Sequence, residues 1–447
     1  VGGRDVFMLN GGMMMHLVNT LGHKDGLRYI ANFHEQASSM AADGYSRCSG
    51  KIGVCYATSG PGATNLITGL TGAWQDSTPV IFITGQSKTT DTIKFTNIEG
   101  LRQVGTFEVD TESIVKPVCK YAKTILNPSS IRYELEKAIS ICTSDRPGPV
   151  LLDIPLDVQG ALINPKKLRS YVPPNPKIKS HKKEFTKLFQ QFQNSKRPLI
   201  LAGIGVRRAD YVKEFMDMVE SLNIPVVTTQ LGKDVIHYNH PLFVGHPGPI
   251  GDRAGNFAVQ SADLIISIGS SLHSQTTGWE KELFATKAFK VQIDIDKALL
   301  KKEDIGVNLK FNLNVRDFIN KFSKYKLTND NSEWLKRCRS WKKKYAVIKE
   351  PHERSKKAIN FYHFIDALST ASPSNACIVT DAGSAFYVLG HAYRVKKNQI
   401  FISSGSMGAM GYALPAANGA AVSKSKKVTI CVTGDGSLMT NIHELAT

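Results

Sequence analysis

Short apolar runs alternate with helical segments through the first third of the chain. Ile52–Ala57, Val80–Thr84 and Val150–Ile154 are apolar runs of strand length, and helical patterns follow Glu35 and Gly62. Buried strands that alternate with helices are typical of a doubly wound parallel sheet. We therefore predict such a sheet for this part of the chain.

The same alternation returns twice more. Four strand candidates follow Pro198, and a later region contains the Ala-rich helical segment Tyr412–Val422. The strand candidates of that later region are Cys377–Thr380, Ile400–Ser403 and Val428–Val432. We predict an α/β protein of three doubly wound parallel-sheet domains, the last one incomplete. Their expected bounds are residues 1–165, 190–330 and 358–447.

The formal net charge of +18 is concentrated in two lysine-rich stretches, residues 165–187 and 336–357. Between apolar sheet domains, such stretches are typical of solvated connectors. The alternative is a nucleic-acid surface, but no recognised nucleic-acid motif supports it. No apolar run reaches the length of a membrane span. We therefore expect neither a nucleic-acid partner nor a membrane.

The seven cysteines are scattered without a CxxC pair, which is typical of reduced thiols. We expect a cytoplasmic protein, or an organellar one if a transit peptide precedes the given sequence. The chain opens at Val1 without an initiator Met or a signal-peptide pattern, and this opening is typical of the interior of a longer chain.

A glycine-rich acidic loop, Gly434-Asp435-Gly436-Ser437, follows the last predicted strand. Its glycines let backbone amides approach a phosphate, and its carboxylate suits a hard cation. Open parallel sheets bind ligands just past such strand ends. For the loop alone, an ordinary surface turn is the alternative interpretation.

The stretch around this loop resembles the diphosphate-binding module of thiamine diphosphate enzymes, specifically the acetolactate synthase group. The matching residues are Ser404-Gly405, Gly408, Met410-Gly411-Tyr412, Leu414-Pro415-Ala416-Ala417, Gly419-Ala420, Gly434-Asp435-Gly436 and Glu444-Leu445. The resemblance implies thiamine diphosphate and Mg²⁺ as cofactors, with Asp435 as a metal ligand. The family motif closes with an Asn that lies further from the acidic loop than Thr447, the last residue of the given sequence. Residues 1–447 by themselves are therefore expected to bind the cofactors weakly and to be inactive.

A second match begins at His34-Glu35-Gln36-Ala37 and runs to Gln86. It resembles the pyrimidine-binding module of the same family, in which the glutamate hydrogen-bonds the pyrimidine and thereby activates thiamine. The resemblance implies that Glu35 is the catalytic carboxyl. The alternative is a glutamate that only interacts with the helix dipole.

The resemblance also implies further site residues. Met410 matches the apolar side chain that props the two cofactor rings, and Gly408 matches the carbonyl that receives the 4′-amino group. Core packing is the alternative role for Met410. The other implied residues are Pro61 and Asn65 beside the aminopyrimidine, Gly12 and Gln86 near the substrate, and Gly434, Gly436, Ser437 and Ser384 at the diphosphate.

The central segment resembles the domain that carries flavin in acetolactate synthases, but it departs from that domain where flavin is bound. Ser270–Gly278 replaces an arginine-containing run, and His246-Pro247-Gly248 replaces Met-His-Gly. We therefore expect no bound flavin (FAD). Thr106-Phe107-Glu108 likewise replaces a Phe-Gln-Glu triplet, so the family's substrate contacts do not carry over there.

The implied reaction is decarboxylation of a 2-keto acid and transfer of the acyl-anion equivalent to a carbonyl acceptor, as in the acetolactate synthases of branched-chain amino acid biosynthesis. A simple 2-keto acid decarboxylase and a catalytically silent paralogue are the alternatives. In the family, the cofactor lies between the first domain of one subunit and the third domain of another. A homodimer or homotetramer is therefore expected.

Overall fold

A computed structural model describes residues 3–175, 180–324, 330–349, 357–426 and 428–447. Its contacts divide the chain into two compact units. Unit 1 comprises Val1–Pro176, Cys377–Gly383 and Ile402–Thr447, and unit 2 comprises Lys177–Ala376 and Ser384–Phe401. The first predicted domain and most of the third therefore share one unit, while the predicted domain bounds stay predictions.

The described residues form three sheets, as the apolar pattern predicts. Their strands are β1 (Asp5–Met8), β2 (Arg28–Ala31), β3 (Gly53–Ala57), β4 (Val80–Gln86), β5 (Tyr121–Thr124), β6 (Val150–Pro155), β7 (Pro198–Ala202), β8 (Val226–Thr228), β9 (Phe243–Gly245), β10 (Leu264–Ile268), β11 (Phe289–Asp294), β12 (Leu309–Asn312), β13 (Ala376–Thr380), β14 (Ile400–Ser403) and β15 (Val428–Val432). The strand orders are β2-β1-β3-β4-β6-β5, β12-β11-β10-β7-β8-β9 and β14-β13-β15. The pairs in the two six-stranded sheets are parallel.

The helices connect these strands. They are α1 (Met15–His23), α2 (Glu35–Ser49), α3 (Pro61–Asn65), α4 (Ile67–Gln75), α5 (Ile93–Thr96), α6 (Thr111–Val115), α7 (Ile131–Thr143), α8 (Leu156–Gln159), α9 (Lys182–Asn194), α10 (Gly205–Arg208), α11 (Val212–Leu222), α12 (Arg253–Ser261), α13 (Ser274–Thr277), α14 (Val315–Phe322), α15 (Ser332–Lys344), α16 (Phe361–Ala371), α17 (Gly383–Ala392), α18 (Ala413–Val422) and α19 (Asp435–Thr440). The α/β fold with three sheets, the last one smaller, is confirmed.

The two lysine-rich stretches are not simple connectors, and this part of the prediction is wrong. Helix α9 begins inside the first stretch, and α15 occupies the start of the second. Both helices bury apolar side chains in the core of unit 2; these are Phe185, Leu188, Phe189 and Phe192 of α9 and Trp334, Leu335 and Cys338 of α15. Lysines occupy the opposite faces of both helices. The high lysine content of these stretches therefore hides the helical spacing of their apolar residues. Residues 176–179 and 350–356 of the two stretches lie outside the described residues.

The fold bears on the expected membrane contact and on the cysteines. Among the residues that the structure describes, no helix has both the length and the apolar character needed to cross a membrane. All seven cysteines lie in the described ranges, and no disulfide links any of them.

Candidate active site

Helix α2 presents Glu35 as its first residue. His34 caps the helix, because its Nδ1 accepts a hydrogen bond from the Gln36 backbone N–H at 3.1 Å. Gly50 ends the helix in the left-handed region at φ +72°. Most residues of α2 are buried, and many of them are small. The helix is therefore fixed along its length, and so is the backbone that carries Glu35.

The Glu35 carboxylate lies in a confined environment and is only 7% exposed. Its Oε2 accepts a hydrogen bond from Asn65 Nδ2 at 3.0 Å. Its Oε1 lies close to Gly62, since a Cβ at that position would come within 3.3 Å of it. The structure thus brings together Glu35 and Asn65, two residues that the sequence predicts for the pyrimidine end of the site.

The loops that carry Gly12 and Pro61 meet at Thr58. The Met13 N–H donates to Thr58 Oγ1 at 3.2 Å, and a Cβ at Gly11 would lie 2.5 Å from Thr58 Cβ. Only glycine at position 11 permits this approach. Gly12 and Pro61 are themselves exposed. Both residues therefore lie on open surface, and Pro61 directly precedes Gly62 in α3.

Gln86 has a different environment from the one predicted for a substrate contact. It ends β4, is 2% exposed, and donates from Nε2 to Val109 O at 2.8 Å and to Asp153 Oδ2 at 3.0 Å. Its Oε1 accepts from the Ser87 N–H at 3.0 Å. Burial raises the pKa of Asp153 to about 7. The amide of Gln86 is engaged within the protein, and its predicted role near the substrate stays a prediction.

Asp381 organises the diphosphate module, and sequence reasoning did not assign it a role. It follows β13 directly and is 1% exposed. Its Oδ2 accepts hydrogen bonds from Ser437 Oγ at 2.5 Å, Thr433 Oγ1 at 3.0 Å and the Ala413 N–H at 3.2 Å. One carboxylate thus joins the glycine-rich acidic loop to the start of α18. The only signal for it in the sequence is an Asp placed immediately after a strand.

The two glycine-rich turns of this module lie against each other. Ser437 Oγ accepts from the Gly411 N–H at 2.7 Å, so this hydroxyl is engaged within the protein. A Cβ at Gly436 would lie 3.4 Å from the methyl group of Met410, whose side chain is 53% exposed. Gly408 adopts φ +64° in the same turn.

Asp435 and Gly434 form the open part of the acidic loop. The Asp435 side chain is exposed, and the hydrogen bond to its Oδ1 comes from the adjacent Gly436 N–H at 2.8 Å. A Cβ at Gly434 would meet nothing within 4 Å. Within the described ranges, no group of three or more His, Cys, Asp or Glu side chains is arranged to hold a metal ion. The acidic loop thus offers one exposed carboxylate, Asp435, beside open backbone at Gly434. Ser384 is the second residue of α17 and is exposed.

Helices α2 and α18 cross so closely that only glycine fits at positions 44 and 419. A Cβ at Gly44 would lie 2.2 Å from the Ala416 carbonyl oxygen, and one at Gly419 would lie 1.9 Å from the Ala41 carbonyl oxygen. Both contacts are with backbone atoms, which could not move aside to make room for a side chain. The crossing ties the helix that begins at Glu35 to the helix that follows Met410.

A buried ion cluster stabilises the same crossing. Arg47 contacts Asp43 at 2.8 Å and Asp76 at 2.5 Å, and it donates to Ser403 O at 2.8 Å. Tyr412 donates its hydroxyl to Asp43 at 2.5 Å. Burial alone would lower the pKa of Arg47, but Asp43, Tyr412 and Asp76 raise it well above its ordinary value. The charge of Arg47 is therefore fully compensated, as a buried cation requires.

Comparison with known proteins agrees with this arrangement. Residues 1–108 match the description "Thiamine pyrophosphate enzyme, N-terminal TPP binding domain". Residues 185–321 match the central domain of the same enzymes, and residues 381–447 match their C-terminal TPP binding domain. The two outer matches contain Glu35 and Asp435.

Relatives match along almost the whole chain. A probable acetolactate synthase large subunit from Methanococcus aeolicus is 36% identical over 99% of this chain and 75% of its own length. The corresponding protein of Methanocaldococcus jannaschii is 34% identical, with the same two shares. An acetolactate synthase large subunit from Cyanidium caldarium is 32% identical over 99% of this chain and 76% of its own length. The chain therefore belongs to the thiamine diphosphate-dependent enzymes, among those related to acetolactate synthase large subunits.

Proposed function

We propose that this protein decarboxylates a 2-keto acid and transfers the resulting acyl-anion equivalent to a carbonyl acceptor, as an acetolactate synthase-like carboligase. The observation that carries the proposal is the Glu35 carboxylate, which is 7% exposed at the start of a fixed helix and hydrogen-bonded to Asn65. A confined carboxyl with one amide partner is suited to exchanging a proton with a bound heterocycle. The names of the relatives support the reaction class.

The residues present fit thiamine diphosphate and Mg²⁺. When bound, thiamine diphosphate supplies a carbanion nucleophile and an electron sink for decarboxylation. Asp435 would hold the metal, and the open backbone at Gly434 would approach the diphosphate. Gly408 and Met410 would contact the rings, and Glu35 would hold or release a proton at the pyrimidine. We infer from the replaced residues at Ser270–Gly278 that no flavin takes part.

Product analysis tests the proposal. The full-length protein is incubated with pyruvate, thiamine diphosphate and Mg²⁺, and Glu35→Gln is treated in parallel. A hydroxy-keto acid formed with loss of carbon dioxide is the expected product. Acetaldehyde alone would instead identify a simple decarboxylase. Cofactor binding without consumption of pyruvate or any other 2-keto acid would identify a silent paralogue and overturn the proposal.

We also infer that the active protein is a homodimer or a dimer of dimers. The family resemblance implies sites shared between subunits, whereas the crossing of α2 and α18 would join both halves of the site within one chain. Complementation tests this directly. If sites are shared, a mixture of refolded Glu35→Gln and Asp435→Asn subunits contains mixed dimers with one intact site. About a quarter of wild-type activity then returns at a thiamine diphosphate concentration too low to load Asp435→Asn. If each site lies within one chain, the mixture stays as inactive as its components.

A further inference from the structure

Glu444 is a fully buried carboxylate that the proposed chemistry does not use. It lies in the turn Ile442–Ala446 after α19 and is 1% exposed. Its Oε1 accepts from the Phe33 backbone N–H at 2.8 Å. Its Oε2 accepts from Asn32 Nδ2 at 2.8 Å and from Thr447 Oγ1 at 2.5 Å. Several donors around one carboxylate define its position closely.

The groups that Glu444 binds immediately precede Glu35 in the chain. Asn32 and Phe33 form the link between β2 and α2, and the Asn32 N–H also donates to Met8 O at 2.9 Å. The side chain of Phe33 is 55% exposed, so core packing does not fix this residue. The hydrogen bond from its N–H to Glu444 takes over that role. The position of the first residue of α2 therefore depends on a carboxylate from the far end of the chain.

Neighbouring contacts place the same segment against both sides of the site. Asn441 Nδ2 donates to Gly411 O at 2.8 Å and to Gln36 Oε1 at 3.3 Å. The Glu444 carbonyl accepts from Asn418 Nδ2 of α18 at 2.8 Å. The turn that carries Glu444 is thus held by α18 on one side and holds the approach to α2 on the other.

We propose that Glu444 is a positioning residue for Glu35. By holding the Phe33 N–H and the Asn32 amide, it keeps the start of α2 where the Glu35 carboxyl can exchange a proton with the cofactor. The inference rests on the proposed function, because it assigns Glu444 a role only through Glu35.

Two variants of Glu444 separate positioning from charge. Glu444→Ala leaves the Phe33 N–H and the Asn32 amide without their acceptor. Glu444→Gln can restore both contacts once the Asn32 amide turns over. Its Oε1 accepts from Phe33, and its Nε2 then donates to Asn32 Oδ1, a buried oxygen that otherwise has no partner within the described structure. Rescue by Gln but not by Ala is expected of a positioning residue.

Glu112 provides a matched control in the same unit. Its Oε2 accepts from the Thr124 backbone N–H at 2.6 Å, so it too is a carboxylate that holds a backbone amide. Glu112→Ala should lower stability without reaching Glu35. It therefore measures what a purely structural loss does to each readout.

The experiment uses two readouts on the full-length protein. The first is amide hydrogen exchange of residues 32–36 without cofactor, which should be faster in Glu444→Ala and unchanged in Glu444→Gln and Glu112→Ala. The second is hydrogen–deuterium exchange at the thiazolium carbon with saturating thiamine diphosphate and Mg²⁺. It should slow about 10- to 100-fold in Glu444→Ala and by less than about 3-fold in the other two variants.

Each other outcome overturns the inference. A normal thiazolium exchange rate in Glu444→Ala rules out positioning, as does equal slowing in Glu112→Ala. If Glu444→Ala does not fold, Asn32→Ala replaces it and the same criteria apply. Unimpaired thiazolium exchange in Glu35→Gln would reject the proposed function itself, and this result can be told apart from a failure at Glu444.

Discussion

Units 1 and 2 both contain a six-stranded parallel sheet, but the charged groups that follow β2 in unit 1 and β8 in unit 2 differ in kind. In unit 1, Glu35 follows β2 and accepts from Asn65. In unit 2, Lys233 follows β8 and donates from Nζ to Gly390 O at 2.7 Å, and it lies 2.9 Å from His246 Nε2. The same architecture thus presents a carboxylate in one unit and engaged bases in the other. Chemistry depends on these residues rather than on the sheet.

The buried cations of the two units differ in how strongly neighbouring carboxylates compensate their charge. Arg47 of unit 1 contacts two carboxylates, and its pKa is raised. Burial lowers the pKa of Lys233 in unit 2 to about 7, with only a weaker opposing effect from Asp252. Unit 1 therefore holds a permanent charge in its interior, whereas unit 2 holds an amine that is close to neutrality. We expect substitutions in the site of unit 1 to have the largest effects and changes in unit 2 the smallest.

Glu35→Gln should abolish the chemistry of unit 1. Because the amide cannot exchange a proton with the pyrimidine, turnover should fall by about 10³-fold or more, while cofactor affinity changes little. Thiazolium hydrogen–deuterium exchange measures the step directly, and calorimetry measures binding. An unchanged exchange rate would remove Glu35 from the mechanism.

Asp435→Asn should weaken binding rather than chemistry. Loss of the charged metal ligand should reduce magnesium-dependent affinity for thiamine diphosphate by about 100-fold. At saturating cofactor, thiazolium exchange should stay near the wild-type rate, in contrast to Glu35→Gln. Equal damage to affinity in both variants would show that the two carboxylates do not have separate roles.

Asn65→Ala should have an intermediate effect. It removes the amide that orients Glu35 Oε2, so thiazolium exchange should slow by about 10-fold. Thr64→Ala is the matched control, because its hydroxyl is exposed and donates to Pro61 O at 3.2 Å rather than to Glu35. A result in which both variants behave alike would argue against an orienting role for Asn65.

The elements of this fold could be predicted from the sequence because buried parallel strands are continuous apolar runs. The apolar runs Val428–Val432 and Ile400–Ser403 have the same bounds as β15 and β14, and the run Ile52–Ala57 is one residue longer than β3. Helix α15 was missed because lysines outnumber the residues that it buries. The sequence could not indicate the compact units either, since grouping of the chain ends depends on contacts such as Gly44 with Ala416.

For the site, the family resemblance predicts the motif residues, Glu444 among them, but not the contacts that hold these residues in place. Asp381, Arg47 and Glu444 each contact a residue that is distant in sequence, namely Ser437, Asp76 and Asn32. No local spacing indicates these three pairs. Gln86 shows that a residue's position at a strand end does not reveal which groups its side chain contacts. A residue at a strand end is expected to face a ligand, yet its amide is bonded to Asp153 and Val109.

Lys233→Met should change how stability depends on pH. The pKa of Lys233 is about 7 in the folded protein, below the value of about 10.4 for an unfolded lysine. Between these values the unfolded state binds more protons, so wild-type stability should rise with pH by up to about 1.4 kcal/mol per unit from this group. Denaturant unfolding at several pH values should show a flatter profile for the variant. Parallel profiles would mean that Lys233 stays charged when it is buried.

Flavin should have the smallest effect of all, because the two lysines described near the ends of β8 and β9 are already engaged within the protein. Phosphates in proteins are usually held by guanidinium or ammonium groups that can donate to them. Near the ends of β8 and β9, the Lys233 ammonium is engaged with His246 and Gly390, and Lys342 donates to Phe243 O at 2.9 Å. Burial also lowers the pKa of Lys342 to about 8, which reduces its positive charge. We therefore expect added FAD to leave the melting temperature unchanged and the purified protein to be colourless. An equimolar absorption band at about 450 nm would show that flavin is bound without these cations.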